Sequence, residues 1–357
     1  MKIECPKFFL AANSAEGFVS HFGDSFNAHD GWRAYLIKGG PGSGKSSFMK
    51  YIAVKAVDCG YTVELCPCSS DPDSLDGVII KDIKTVLLDA TSPHALEPKY
   101  PAACEQVINL GEFWNGEKLH KNAQKIIEVT DQNKKLHKTA SAYISAAGEL
   151  MLDNFKLSEQ ATNLKKAQHF AQKTAARLIP KSNKNSYEWV RFIGGITPAG
   201  VVAFSGTVEK HYKNIVVIED KNGAVANQMM QAVRKYALSR GHEIITLKNP
   251  FLPSLIIDHI LIPELSTAFV REYEYMRFDE HHRRIHSRRF ENVNMLRAVR
   301  TRITFNRRVS RELLIGAATA LSNAKAVHDQ MESYYIDAMD FRSVTQYAQK
   351  IAGEIFK

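Results

Sequence analysis

Long hydrophobic runs are the first feature that this sequence lacks. The 357-residue chain has no apolar segment near the roughly 20 residues that a helix needs to cross a bilayer. The apolar run at residues 8–12 is too short for the core of a secretory signal, and it predicts a strand instead. These two absences lead us to expect a cytoplasmic protein with no membrane partner.

Cysteine is also scarce, with five residues at irregular spacing. An odd number of cysteines in such an arrangement does not fit a disulfide framework. Cys66 and Cys68 form the only close pair, and a zinc site would need a second pair or nearby histidines. We therefore expect two reduced cysteines at a strand end rather than a metal centre.

One stretch of the chain lacks lysine altogether. Residues 271–311 contain twelve arginines and five acids, so they carry +7 of the formal net charge of +9. The arginines from 283 onward are predicted to lie on one or two helices. Because arginine favours two-pronged contacts with phosphate or carboxylate, three interpretations remain open. The stretch is a solvated face that pairs with acids, a surface for an unknown protein or nucleic acid, or the source of an arginine that reaches a bound phosphate.

The chain does contain a glycine-rich loop between a strand pattern at residues 34–38 and a helical pattern after residue 46. The loop matches Gly-x-x-x-x-Gly-Lys-Ser, the P-loop pattern, in the structural context that this pattern requires. Such a loop directs successive backbone N–H groups and a helix N-terminus at phosphate oxygens. The predicted nucleotide-binding residues are Gly39, Gly40, Pro41, Gly42, Ser43, Gly44, Lys45, Ser46 and Ser47.

Three side chains are expected to act on the bound nucleotide. Lys45 is expected to reach the β- and γ-phosphates, and the Ser46 hydroxyl is expected to hold Mg²⁺. Residues 85–89 predict a second strand that ends at Asp89, the expected second Mg²⁺ ligand. Lys45 and Asp89 are therefore the predicted catalytic residues, with ATP and Mg²⁺ as cofactors. The guanine-reading pattern Asn-Lys-x-Asp is not found after Asp89, which favours ATP over GTP.

The sequence shows no evident base that would activate water, because no glutamate follows Asp89 directly. Slow hydrolysis is therefore expected. Asp71, Asp73, Asp76 and His94 are candidates for positioning water or a substrate. Each of them is at least as typical of a turn or a helix cap.

The two halves of the chain match each other at a nearly constant offset. Setting Ile37 on Ile218 aligns the segments that follow, and further short matches occur at similar offsets upstream and downstream. We interpret this as a tandem duplication, with an active domain at residues 1–180 and a degenerate repeat at 191–357. The predicted architecture is α/β, with two tandem P-loop NTPase-like three-layer domains that each carry a helical arm.

The second half is predicted to have lost the phosphate chemistry of the first. The alignment sets Lys45 on Ala226, Ser46 on Asn227 and Asp89 on Arg271. We therefore expect the second half to keep the scaffold but to bind no nucleotide. The two helical arms are predicted at residues 119–178 and 277–356.

Other segments of the chain are more distinctive than the loop. They are Ser-Asp-Pro-Asp-Ser-Leu-Asp-Gly at 70–77, Asp-Ala-Thr-Ser-Pro-His at 89–94, Asn-Leu-Gly-Glu-Phe-Trp at 109–114 and Phe-Ile-Gly-Gly-Ile-Thr-Pro at 192–198. Together with the loop, they resemble an uncharacterised family of tandem P-loop ATPases of Gram-positive bacteria, over nearly the whole chain. The resemblance implies ATP binding and hydrolysis without an assigned substrate. Members of that family carry an intact loop in each half, and residues 220–227 depart from this.

The sequence as a whole predicts an ATP-binding protein, an ATPase with one active site in its first half. One alternative is a small-molecule or nucleotide kinase that uses the same loop. The other is a nucleotide-gated protein that binds nucleic acid through residues 271–311.

Overall fold

The computed structural model describes residues 5–357 and shows an α/β fold with two mixed sheets. Its strands are β1 (Ala11–Ser14), β2 (Gly17–Ser20), β3 (Arg33–Lys38), β4 (Val63–Pro67), β5 (Leu75–Ile80), β6 (Thr85–Asp89), β7 (Glu105–Asn109), β8 (Tyr187–Arg191), β9 (Gly194–Thr197), β10 (Gly200–Ala203), β11 (Asn214–Glu219), β12 (Glu243–Lys248), β13 (Ile257–Ile262), β14 (Thr267–Glu272) and β15 (Arg283–His286). Its α-helices are α1 (Lys45–Asp58), α2 (Gly116–Lys121), α3 (Ala123–Gln160), α4 (Leu164–Leu178), α5 (Ser205–His211), α6 (Ala224–Ser239), α7 (Val293–Ala298), α8 (Arg300–Ile336) and α9 (Phe341–Ile355).

The first main sheet has the strand order β4-β5-β6-β3-β7. Strand β3 lies between β6 and β7 and pairs in parallel with both, whereas β5 runs antiparallel to β4 and β6. The strands predicted at residues 34–38 and 85–89 are β3 and β6, and both predictions are confirmed. The strand predicted at residues 8–12 lies partly outside its range, because β1 begins at Ala11. Because parallel strands β3 and β6 end at the same edge, the loop after β3 and Asp89 at the end of β6 lie close together.

The second main sheet has the order β8-β12-β13-β14-β11-β15. Strand β11 lies between β14 and β15 and pairs in parallel with both, and β13 runs antiparallel to β12 and β14. Strand β8 adds a sixth strand beyond β12. The pattern of parallel and antiparallel pairs in the other five strands is that of the first sheet.

Each main sheet carries helices on one face and meets the other sheet on its second face. On β3, Tyr35 and Ile37 pack toward α1, whereas Ala34 and Leu36 enter an apolar core that also holds Val217 of β11. Three-layer domains were predicted, and this arrangement differs from them. The reason is connectivity: over residues 33–109, α1 is the only α-helix between strands, because β4, β5 and β6 are joined as antiparallel neighbours.

The long helices α3 and α8 lie side by side and run antiparallel. Asn133 donates to the carbonyl of Ala324 near one end of the contact, and Asn154 donates to the carbonyl of Ile303 near the other. Midway, Tyr143 packs on Gly316. The close approach there depends on small residues, which bring the backbones together and bury Ala140 and Ala317.

The shorter terminal helix of each half packs on the helix that covers the sheet of the other half. Helix α9 joins the first-half core, where Tyr347 contacts Phe48 of α1 at a ring distance of 6.3 Å. Helix α4 joins the second-half core, where buried Ala171 and Ala175 lie with Val225 of α6. The two halves therefore exchange helices, and the helical layer on each sheet is completed by a helix from the other half of the chain.

The helical arms lie close to the predicted ranges in the first half and begin later than predicted in the second. Residues 283–286 form β15 and residues 287–289 form a short 3-10 turn, so the helices start at Val293. The pairing of β15 with β11 overrides the helical pattern of this segment. Over residues 5–357, no helix combines the length and apolar character needed to cross a bilayer.

Candidate functional site

The glycine-rich loop occupies residues 39–44, between β3 and α1, where the sequence predicts it. Gly42 and Gly44 have φ values of 64° and 87°, a region that residues with a β-carbon rarely adopt. A β-carbon on Gly42 would also lie 2.9 Å from the Ile336 side chain. The Ser43 hydroxyl donates to the Gly40 carbonyl at 2.9 Å and closes the turn. The first residues of α1 therefore present their backbone N–H groups to a cavity.

Lys45 lies at the mouth of this loop. Its Nζ donates to the carbonyls of Gly39 and Gly40, both at 2.8 Å, and lies 3.6 Å from Oδ2 of Asp89. The side chain is 14% exposed. A charged ammonium is thus held at the N-terminus of α1, where the helix dipole also favours an anion.

Ser46 and Asp89 supply oxygen atoms on the same side of the cavity. The Ser46 hydroxyl accepts from the backbone N–H of Leu75 at 3.0 Å. Oδ1 of Asp89 accepts from the backbone N–H of Thr91 at 2.9 Å, and Oδ2 faces Lys45. Both residues line a cavity of about 390 Å³, together with Lys45 and most of the loop. Hydroxyl and carboxylate oxygens are the ligands that Mg²⁺ prefers.

Asp76 is a second carboxylate in this cavity. It is at the start of β5, and the antiparallel register of β5 and β6 sets it across from Asp89. Burial, followed by the charge of Asp89, raises the pKa of Asp76 to about 7. The sequence named Asp76 only as one of several acids. The antiparallel pairing that sets it beside Asp89 has no local sequence signal.

The other candidates for positioning water lie at different places around Asp76. His94 has its Nε2 at 3.8 Å from Oδ2 of Asp76, stacks on Phe22, and has its pKa lowered mainly by burial. Asp71 lines the cavity wall and accepts from the Ser74 hydroxyl at 2.7 Å. Asp73 is bound through its backbone carbonyl to Lys50 and is not among the lining residues of that cavity in the described chain.

The C-terminal part of α8 covers the loop from the other half of the chain. Oε1 of Glu332 accepts from the backbone N–H of Gly42 at 3.0 Å. One to two turns earlier, Lys325 and His328 also line the cavity, and Lys325 lies 3.6 Å from Asp71. The sequence did not suggest these residues, because nearly 300 positions separate Gly42 from Glu332.

The corresponding loop of the second half is shorter, because α6 begins two residues earlier than α1 relative to the preceding strand. It occupies residues 220–223, and Gly223 (φ 92°) precedes α6 as Gly44 (φ 87°) precedes α1. The bodies of the two helices keep the predicted register: the Ser46 hydroxyl accepts from the N–H of Leu75, and Oδ1 of Asn227 accepts from the N–H of Ile257 in the same way. The predicted alignment of Lys45 with Ala226 and Ser46 with Asn227 therefore fits the fold.

The buried carboxylate of Asp220 fills the second loop. Its Oδ1 accepts from the backbone N–H groups of Asn222 and Gly223 at 3.0 and 2.9 Å, and its Oδ2 accepts from Ala226 at 2.9 Å. Asp220 is 1% exposed. The N–H groups at the start of α6 are therefore already bound to an anion that belongs to the chain.

Arg271 provides the matching cation in the second half. It is at the position in β14 that corresponds to Asp89 in β6, and its guanidinium donates to the carbonyls of Asp220 and Lys221 at 2.8 and 3.0 Å. These are the first two residues after β11, as Gly39 and Gly40 are the first two after β3. The same guanidinium donates to Asp258 at 2.7 Å. An internal ion network thus occupies the second loop.

The remaining arginines of 271–311 do not lie on one helical face. Arg284 is on β15 and contacts Glu219 and Glu272, whereas Arg302 on α8 binds Asp153 of α3. Within residues 5–357, no arginine of this stretch lines the cavity at Lys45. The cation that α8 presents there is Lys325.

All five cysteines are free, and burial raises the pKa of the Cys66 and Cys68 thiols well above the usual value. In the part of the chain from residue 5 onward, one group of histidine and acid side chains is close enough to share a metal ion. It comprises His328, Asp329 and Glu332, and it does not include the cysteine pair.

No protein-family model, curated protein or solved structure matches this chain. The function is therefore argued from the geometry of the site.

Proposed function

We propose that this protein binds ATP with Mg²⁺ at residues 39–47 and hydrolyses it slowly. The observation that carries the proposal is the convergence of four kinds of group on one cavity. They are the N-terminal N–H groups of α1, the Lys45 ammonium, the Ser46 hydroxyl and the Asp89 carboxylate. Their charges and donors match a triphosphate with a divalent cation.

In this proposal, Lys45 exchanges two backbone carbonyls for phosphate oxygens. Its Nζ now donates to Gly39 and Gly40, which are weaker acceptors than the charged oxygens of a triphosphate. Ser46 and Asp89 would hold Mg²⁺, which neutralises charge on the phosphates. Oδ2 of Asp89 suits this role, since Oδ1 binds Thr91 and the closest partner of Oδ2 is the ammonium at 3.6 Å.

Asp76 is the proposed general base. It lines the cavity beside Asp89, and its pKa of about 7 lets it accept a proton near neutral pH. As the water oxygen attacks the γ-phosphorus, Asp76 takes the water proton, the bond from the γ-phosphorus to the bridging oxygen breaks, and ADP leaves. Replacing it by asparagine should lower the hydrolysis rate by about 10²–10⁴-fold while ATP still binds.

We further propose that the two halves arose by duplication and that one nucleotide binds per chain. Both main sheets share a strand order, and both carry a 3-10 turn with a left-handed residue after it, Lys84 in one and Ser266 in the other. In the second half, Asp220 and Arg271 occupy the loop with charges of their own. A triphosphate would have to displace a buried, fully hydrogen-bonded carboxylate there.

Calorimetric titration with Mg-ATP tests the proposal. Lys45→Ala should weaken binding by at least about tenfold, since it removes a charge-assisted contact with phosphate. Lys55→Ala is the matched control, because Lys55 is on the exposed side of the same helix. Equal affinities of wild type and Lys45→Ala would refute the proposal. A stoichiometry of two per chain would refute the single site.

Phosphoryl transfer to a small acceptor is the second candidate function. Polar residues in the cavity wall support it, because they could bind an acceptor. Asp71, His137 and His328 extend the cavity beyond the loop. ADP release in water alone supports the ATPase, whereas ADP release that requires an added acceptor supports the kinase.

Nucleic-acid binding through residues 271–311 stays a weaker proposal, because Arg284, Arg302 and others are paired with acids. It predicts binding at low salt that falls steeply as salt rises.

A further inference from the structure

Both glycine loops of this protein have a carboxylate on their backbone N–H groups, but the two carboxylates come from different places. In the second half it is Asp220, which belongs to the loop itself. In the first half it is Glu332, which reaches Gly42 from helix α8. Asp220 lies within six residues of its partners in the sequence, whereas Glu332 can leave only if α8 or its own side chain moves.

The helices that cover the two loops also present different side chains to them. Over the second loop, α3 presents apolar side chains, and Phe155 packs with Ala224 at the start of α6. Over the first loop, α8 presents Lys325, His328 and Glu332. Arg307 of α8 reaches the second loop, where it donates to Asn222 at 3.1 Å. Among the described residues, a covering helix therefore brings an acidic side chain to the first loop and a basic one to the second.

We propose that Glu332 is a latch: its carboxylate occupies the phosphate-binding N–H of Gly42 in the free protein, and nucleotide must displace it. This inference rests on the proposed nucleotide site. An incoming phosphate competes for the N–H of Gly42 and repels the carboxylate, so nucleotide binding and the Glu332–Gly42 contact exclude each other. Because α8 leads through Asp337 and Asp340 into α9, loss of the contact is transmitted to the helix that packs on α1.

The surroundings of Glu332 allow its carboxylate to move away when a phosphate binds the loop. Its side chain is 33% exposed, and Nδ1 of His328 lies 4.0 Å from it. The released carboxylate therefore meets water and a neighbouring imidazole on the same helix. The neighbouring Ile336 packs against Gly42, so displacement also disturbs an apolar contact.

The test compares nucleotide affinity across Glu332→Gln, Glu332→Ala and the control Asp329→Asn. Asp329 is on the same helix, and its substitution by asparagine removes the same charge as Glu332→Gln. The Asp329 carboxylate forms an ion pair with Lys325 and does not contact the loop. Both Glu332 variants should bind Mg-ATP about tenfold more tightly than wild type, as expected for loss of one competing charge-assisted hydrogen bond. Asp329→Asn should change affinity less than twofold.

A ligand series separates the latch from other effects. The gain should persist with ADP and vanish with adenosine, because only phosphate competes for the N–H of Gly42. Equal ATP affinity in wild type and both Glu332 variants would overturn the latch while leaving the nucleotide site intact. A gain of the same size in Asp329→Asn would also overturn it, since general charge repulsion would then explain the result. Absence of ATP binding in every variant would instead refute the proposed function.

Discussion

The internal carboxylate of the second loop leads to a quantitative prediction. Asp220 accepts three backbone N–H groups from within the loop and the first turn of α6, and it is 1% exposed. Replacing it by alanine leaves these donors buried without an acceptor. It also removes a negative charge that helps to balance the buried Arg271. Asp220→Ala should therefore be among the more destabilising single changes in the chain.

The size of the effect follows from the contacts. A buried hydrogen bond to a charged group contributes about 1.5–3 kcal/mol, and removal of one partner from a buried ion network costs about 3–5 kcal/mol. Because Asp258 still pairs with Arg271, we expect Asp220→Ala to lower the free energy of unfolding by about 3–5 kcal/mol. Asp220→Asn keeps one acceptor oxygen and points its amide at the N–H of Ala226, so we expect a smaller loss of about 1–3 kcal/mol.

Urea unfolding followed by circular dichroism measures both changes. Lys221→Ala is the control, because its side chain is exposed in the same loop and only its backbone carbonyl binds Arg271. If Asp220→Ala lowers the free energy of unfolding by less than about 1 kcal/mol, the carboxylate does not stabilise the loop as argued. If either variant binds a second ATP, the Asp220 carboxylate alone prevents nucleotide binding in the second half, and the rest of the ion network is not required.

Two more predictions concern the first half. Ser46→Ala and Asp89→Asn should each abolish most of the increase in ATP affinity that Mg²⁺ provides, which titration with and without the cation measures; an unchanged Mg²⁺ dependence in both would remove them as ligands. The pKa of Asp76 is raised from 3.8 to about 7 in the folded protein, which corresponds to about 4 kcal/mol in favour of the protonated form. This stabilisation is fully present below pH 3.8 and is lost as pH rises toward 7. Asp76→Asn should therefore be more stable than wild type near pH 7.5, with a difference that shrinks toward pH 4; a difference independent of pH would contradict the buried carboxyl argument.

The parts of the site that the sequence predicted are those encoded by a short continuous segment. Residues 39–46 contain both the glycines for the turn and the lysine and serine that follow it, and the flanking apolar patterns predict β3 and α1 correctly. Asp89 was predicted as a site residue because it is the last residue of the apolar strand pattern at residues 85–89. These features depend on local chemistry, so one sequence was sufficient to find them.

The parts that the sequence missed depend on contacts between distant segments. The Gly42–Glu332 contact spans 290 positions, and nothing in the helical pattern around Glu332 marks it. The layer prediction did not anticipate that one face of each sheet packs in an apolar core shared with the other sheet. The shorter second loop was also missed, because α6 begins two residues earlier than α1 relative to the preceding strand and an ungapped match cannot show this.

The exchange of terminal helices has a consequence for how the chain reaches its native state during synthesis. The first sheet is complete in sequence at Asn109, but the helix that covers its α1 face begins at Phe341. During synthesis, the apolar surface of α1 that α9 covers therefore stays exposed to water until the second half has left the ribosome. Contacts between such distant segments slow folding and expose partly folded chains to aggregation. We therefore expect the N-terminal half made alone to be captured by chaperones or to aggregate, and to recover when the C-terminal half is supplied as a separate chain.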